Sequence, residues 1–168
     1  VALFVQILAS IQSAGLRKDA IVLVVSNPVD ILTHIAAIQL GLPWQQVLGL
    51  GTLLDTARFS SLIADELKLA PTQVKALILG EHGDSMVPIW SSAAVNGLPL
   101  TGLPQCSSGF QNAVFERTKG SGAEVIEKKG GAGWAVAIAI RDVIHAIALN
   151  QRRLLPVSTL QQGAFGIN

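Results

Sequence analysis

At 168 residues, half of them hydrophobic and only 14% charged, the chain is long enough for one domain or parts of two. Against a usual charged share of roughly 25%, an unusual amount of it must be buried. A formal net charge of +1 without basic clusters excludes nucleic acid and anionic membranes as partners, because electrostatic attraction to either needs concentrated charge. The single cysteine, Cys106, excludes an internal disulfide and fits a reducing, cytoplasmic compartment.

The first element is a helix: Leu3, Phe4, Ile7, Leu8 and Ile11 recur at helical spacing from the first residue, as if the element had been cut partway. Gly15 ends it. The run AIVLVVSNPVD that follows is short, continuous and apolar, as expected of a buried parallel strand over residues 21–25. Residues 26–30 form a strand-to-helix turn, and the next helix starts near Val29, passes Ile38 and stops at Gly41 and Pro43. This helix-strand-helix order predicts an α/β sheet, whose ligands sit at the carboxyl ends of the strands, where Asn27 stands.

A further helix is predicted over 53–67 with Pro71 as its stop, then a strand over 74–79 that runs into GEHGDS. Residues 87–100 read as two short strands joined at Asn96 and Gly97. A loop over 101–109 precedes helices over 110–128 and 133–149, separated by glycines, and 154–160 returns to strand character. The chain then closes with GAFGIN and no terminating element, so the sequence reads as an internal fragment. The apolar runs at 21–25 and 132–140 fall short of the roughly 18 to 20 residues that span a bilayer.

His82 lies between Gly80 and Gly83 directly after an apolar strand, a place that exposes an imidazole to a cleft. One reading is proton transfer to or from a reacting oxygen; the other is a hydrogen-bonded loop residue. Asp55 and Arg58 share one helical face. They are either a local surface ion pair or two working groups, the carboxylate orienting an imidazole and the guanidinium gripping a substrate carboxylate. Asn27 either binds a ligand or caps the following helix. His34 and His145 fall in apolar helices and read as core or interface histidines. GEHGD lacks the paired-histidine spacing of a zinc site, so no metal is expected.

Taken in one order, SNPVDILT at 26–33, LDTARF at 54–59, GEHGDSMVPIWS at 80–91, KGGAGWA at 129–135 and RRLLPVST at 152–159 resemble the lactate and malate dehydrogenase family over essentially the whole chain. The resemblance implies the end of a doubly wound, Rossmann-type nucleotide-binding domain over 1–48. It implies most of an α/β catalytic domain over 49–168, truncated at its C-terminus. The implied activity is hydride transfer between NAD and a small 2-hydroxy or 2-keto acid, L-lactate and pyruvate first. A malate or broader 2-hydroxy-acid enzyme, or a bare oligomerisation module, are the alternatives.

By the same resemblance His82 is the proton donor and acceptor, Asp55 its partner, and Arg58 the carboxylate anchor. Asn27 orients substrate near the nicotinamide, and Ala132 stands where lactate enzymes usually carry threonine. Val25, Asn27 and Val136 contact the cofactor, although either valine reads equally as plain core. A homo-tetramer or homo-dimer is implied. So is indifference to fructose 1,6-bisphosphate, because Ser60 and Lys75 replace the arginine and histidine that bind it in regulated relatives.

Overall fold

A computed structural model describes residues 1–163 and 166. In chain order its elements are α1 (Ala2–Ser13), β1 (Val22–Val24), α2 (Val29–Leu40), β2 (Val47–Gly49), α3 (Leu53–Glu66), β3 (Val74–Lys75), β4 (Ile78–Leu79), β5 (Val87–Pro88), β6 (Ala94–Val95), β7 (Leu98–Pro99), α4 (Ser108–Lys129), α5 (Gly133–Ala148) and β8 (Ser158–Thr159). They form two compact units, Val1–Gly51 with the described residues from Val157 onward, and Thr52–Pro156. The family resemblance puts the boundary at 48/49. Of the GAFGIN ending, Ala164, Phe165, Ile167 and Asn168 lie outside the described residues.

In the first unit β1 and β2 run parallel, with Val22 opposite Val47 and Val24 opposite Gly49, and β8 pairs antiparallel with β2. Parallel neighbours need a crossover, and α2 supplies it. Its buried residues Val29, Leu32, Ala36 and Ala37 meet Val24 and Val47 from the strands and Leu8 from α1. The close seat of α2 on β2 requires a glycine at 49. A Cβ there would lie 2.2 Å from Thr33 Oγ1 and 2.9 Å from the Ser158 Cβ, and the Thr33 hydroxyl is tied to the Val29 carbonyl at 2.7 Å. Gly41 ends the helix with φ 63°, a left-handed conformation that glycine adopts without strain.

The second unit packs α3 and α4 over short antiparallel strands. Phe59, Ile63 and Ala64 of α3 meet Val74, Ile78, Met86, Leu100, Cys106 and Val114 in one core, and Trp90 closes edge-on against Phe59 at 4.8 Å between ring centroids. Burial pushes the Cys106 thiol up from its ordinary pKa, as expected for an inert structural cysteine.

The single strand expected over 74–79 is two. β3 pairs with β6 and β4 pairs with β5, because Ala76 and Leu77 carry the chain from one sheet to the other. The turn at Asn96 and Gly97 is present, with φ 49° and 85°, but it joins only β6 to β7. Val87–Pro88 belongs to a different sheet, and a 3-10 turn at Trp90–Ser92 separates the two. Within 154–160 only Ser158–Thr159 pairs as strand. β2 was not anticipated from the sequence.

Candidate active site

The site is assembled by two threonines four residues apart, Thr52 at the N-cap of α3 and Thr56 in its first turns. Thr52 Oγ1 donates to the Ile78 carbonyl at 2.6 Å, and Thr56 Oγ1 accepts from the Ile78 amide at 2.9 Å. These bonds suture the start of α3 to β4, immediately before Gly80 turns the chain with φ 84° into the loop that carries His82. Asp55 lies between the two threonines in sequence, so the suture brings its carboxylate to the imidazole across 27 residues of chain. Neither threonine was singled out from the sequence. Their i, i+4 spacing around Asp55 is the signal that marks them.

Asp55 is 2% exposed, so it is no ordinary surface ion pair. Its Oδ2 accepts from His82 Nδ1 at 2.5 Å, and its Oδ1 faces Arg58 Nη1 at 3.4 Å. A carboxylate has no proton to donate, so Nδ1 carries the hydrogen that faces Asp55. The Arg58 contact is long for a hydrogen bond. It offsets the buried charge while engaging only one corner of the guanidinium fork. The loop holds itself in shape: the Ser85 hydroxyl donates to the Glu81 carboxylate, the Gly83 amide reaches the Glu81 carbonyl at 3.0 Å, and the Met86 amide reaches the Gly83 carbonyl at 3.2 Å. One buried carboxylate thus ties an imidazole, fit for proton transfer, to a guanidinium, fit for a carboxylate.

The profile of the lactate/malate dehydrogenase alpha/beta C-terminal domain matches residues 52–168. The chain belongs to the lactate/malate dehydrogenase family. It is 46% identical over 155 residues to the L-lactate dehydrogenase of Gloeobacter violaceus, covering 89% of this chain and 47% of that protein. It is 43% identical over 161 residues to the malate dehydrogenase of Trichormus variabilis, covering 95% and 49%. The crystal structure of a minor L-lactate dehydrogenase from Enterococcus mundtii superposes with a TM-score of 0.92 at 34% identity, over 99% of this chain and 54% of that one. The chain therefore spans about half the length of the curated relatives it matches.

Within this lactate/malate dehydrogenase fold, the remaining residues singled out from the sequence fall in separate places. Ala132 is the N-cap of α5 and its carbonyl accepts from the Val136 amide at 3.1 Å, so the two form a pair one helical turn apart. Val25 and Asn27 belong to the first unit, just past the carboxyl end of β1. Asn27 is exposed and precedes a cis peptide bond to Pro28. Pro28 is the N-cap of α2, which has no side-chain cap bond, so Asn27 is not performing the capping role.

His34 and His145 are exposed on this chain, so of the core and interface roles expected for them the core role is ruled out. Their helices are apolar on average, yet each histidine sits on the outward face. Ser60 and Lys75 line a cavity of about 730 Å³ in the second unit, together with Arg153 and Asp142. Among the described residues, no group of three or more His, Cys, Asp or Glu could hold a metal ion, and no helix is long and apolar enough to cross a membrane.

Proposed function

We propose that the chain supplies the catalytic half of an NAD-dependent L-lactate dehydrogenase that interconverts pyruvate and L-lactate. The observation that carries this reading is the buried Asp55 carboxylate joining His82 to Arg58. A 2-keto acid offers one carboxylate and one carbonyl. Arg58 grips the carboxylate through parallel hydrogen bonds, and His82 Nε2 protonates the carbonyl oxygen in reduction or takes the hydroxyl proton in oxidation. Asp55 fixes the tautomer.

NAD, when bound, supplies the hydride. The crossover of α2 between parallel β1 and β2 gives the kind of strand terminus at which such cofactors lie, and Val25 and the exposed Asn27 stand there. Val136 is the third residue assigned to the cofactor. In the domain terms of this reading, the unit begun by Val1–Gly51 is the end of the nucleotide-binding domain and Thr52–Pro156 holds the substrate chemistry. Trp134 and Ile138, one turn apart on α5 and 86% and 54% exposed, support assembly into a homo-oligomer, because a contiguous exposed apolar face is ordinarily covered. The working compartment is the cytoplasm.

The test is a chimera in which this chain replaces the matching 155-residue segment of the Gloeobacter violaceus relative. NADH oxidation is expected with pyruvate, at higher kcat/KM than with oxaloacetate. Malate dehydrogenases share as much sequence with the chain as lactate dehydrogenases do, and Ala132 lacks a threonine's hydroxyl and bulk. Preference for oxaloacetate would therefore assign a malate enzyme, and failure with every 2-keto acid would overturn the reading.

Fructose 1,6-bisphosphate is expected to leave the chimera's pyruvate saturation curve essentially unmoved. Of the pair discussed above, Ser60 offers only a neutral hydroxyl, and Lys75 is a single point charge. Among the described residues, the other cation lining their cavity, Arg153, shares it with the Asp142 carboxylate. A large leftward shift on adding the bisphosphate would show that Lys75 and Arg153 suffice.

A further inference from the structure

We propose that Gly122 is a positioning residue for the Arg58 guanidinium, its missing side chain being the space that Arg58 occupies. The proposal rests on the reading of Arg58 as the substrate-carboxylate anchor. α4 carries Gly120 and Gly122 in its interior, where glycine is the least favourable residue short of proline. Such a residue calls for a reason, and the two glycines differ in having one.

A Cβ built at Gly120 would meet nothing within 4 Å, whereas one at Gly122 would lie 3.3 Å from Arg58 Nη1, 3.9 Å from Cζ and 4.0 Å from Nη2. Val114 and Thr118, each 1% exposed, precede Gly122 at four-residue steps on the same helical face. The face that fills the core at 114 and 118 is thus empty of side chain at 122, and the guanidinium lies over that gap.

Arg58 Nη1 is therefore held between two neighbours, the Asp55 carboxylate at 3.4 Å and the bare backbone of α4. A methyl group at 122 makes a contact tighter than ordinary packing, and the flexible end of the arginine is what yields, by a few tenths of an ångström. Two-pronged recognition of a carboxylate depends on the fork's direction, so a small displacement of a positioned group is enough to weaken it. A glycine that served only to let α4 pack would affect stability and leave substrate affinity alone.

The experiment compares Gly122→Ala with Gly120→Ala in the chimera. Alanine favours the helix at both positions, so both variants are expected to hold or raise Tm, by about 2–4 °C where the gain is fully realised. Only Gly122→Ala is expected to raise the pyruvate KM, by about tenfold, with the KM for NADH unchanged. In the 168-residue chain itself, ¹⁵N spectra of the arginine side chains should show the Arg58 resonance moved by Gly122→Ala and unmoved by Gly120→Ala. Equal pyruvate KM values and equal Arg58 resonances in the two variants would overturn the proposal. Arg58→Lys, assayed alongside, separates the two ways of failing. If it raises KM and Gly122→Ala does not, only the positioning role falls; if neither does, the anchor reading falls with it.

Discussion

Replacing His82 with asparagine in the chimera lowers the turnover of pyruvate by roughly a hundredfold or more, the usual cost of losing a general acid. Asparagine is the informative choice because its amide can still donate toward Asp55 Oδ2, which His82 Nδ1 reaches at 2.5 Å. The buried carboxylate keeps a partner and Arg58 keeps its place, while the proton that His82 Nε2 would deliver is gone. The defect should therefore sit in kcat, with the pyruvate KM changed far less. Because the loop is shaped by the Ser85–Glu81 bond and by its own backbone amides, the variant is expected to fold with an unchanged Tm. Turnover equal to that of the unsubstituted chimera would remove His82 from the chemistry.

Much of this site was legible before any coordinates, for reasons tied to particular residues. Asp55 and Arg58 stand three apart on a helix, and helical geometry alone places them on one face. GEHGDS follows an apolar strand, which locates His82 in a loop. What the spacing could not convey is burial. The same pair on a surface helix is commonplace, and it is the 2% exposure of Asp55 that separates this carboxylate from a solvated one. That burial depends on the Thr52 and Thr56 bonds to Ile78, a pairing between distant segments that no local periodicity reports.

The same limit explains the misread strands. β3 and β4 are two residues each, too short for alternation to show, and their separation appears only in which strand each one pairs with. β2 was missed because VLG, three residues directly after a 3-10 turn, is too short to have a pattern of its own; it is a strand because α2 returns it alongside β1. Long helices were easier. α4 and α5, expected over 110–128 and 133–149, run Ser108–Lys129 and Gly133–Ala148, separated by the glycines visible in the sequence. The reason for Gly122 was invisible, since it lies in a side chain from another helix.

In the chimera Arg58→Lys raises the pyruvate KM by about a hundredfold and leaves the KM for NADH unchanged. The two cations differ in geometry. A guanidinium presents parallel N–H donors in a plane that matches both oxygens of a carboxylate, whereas an ammonium is a compact charge that satisfies one of them. A loss on the order of 2–3 kcal/mol is what replacing a two-point charged contact by a single one implies, and each 1.4 kcal/mol is a factor of ten in affinity. Lysine also changes the Asp55 side of the site little, because the contact it replaces is already long at 3.4 Å and the shorter bond to His82 remains. A general collapse would instead weaken both ligands together and lower Tm. If the KM values for pyruvate and NADH rise in parallel, Arg58 is a structural partner of Asp55, and the carboxylate of the substrate is held elsewhere.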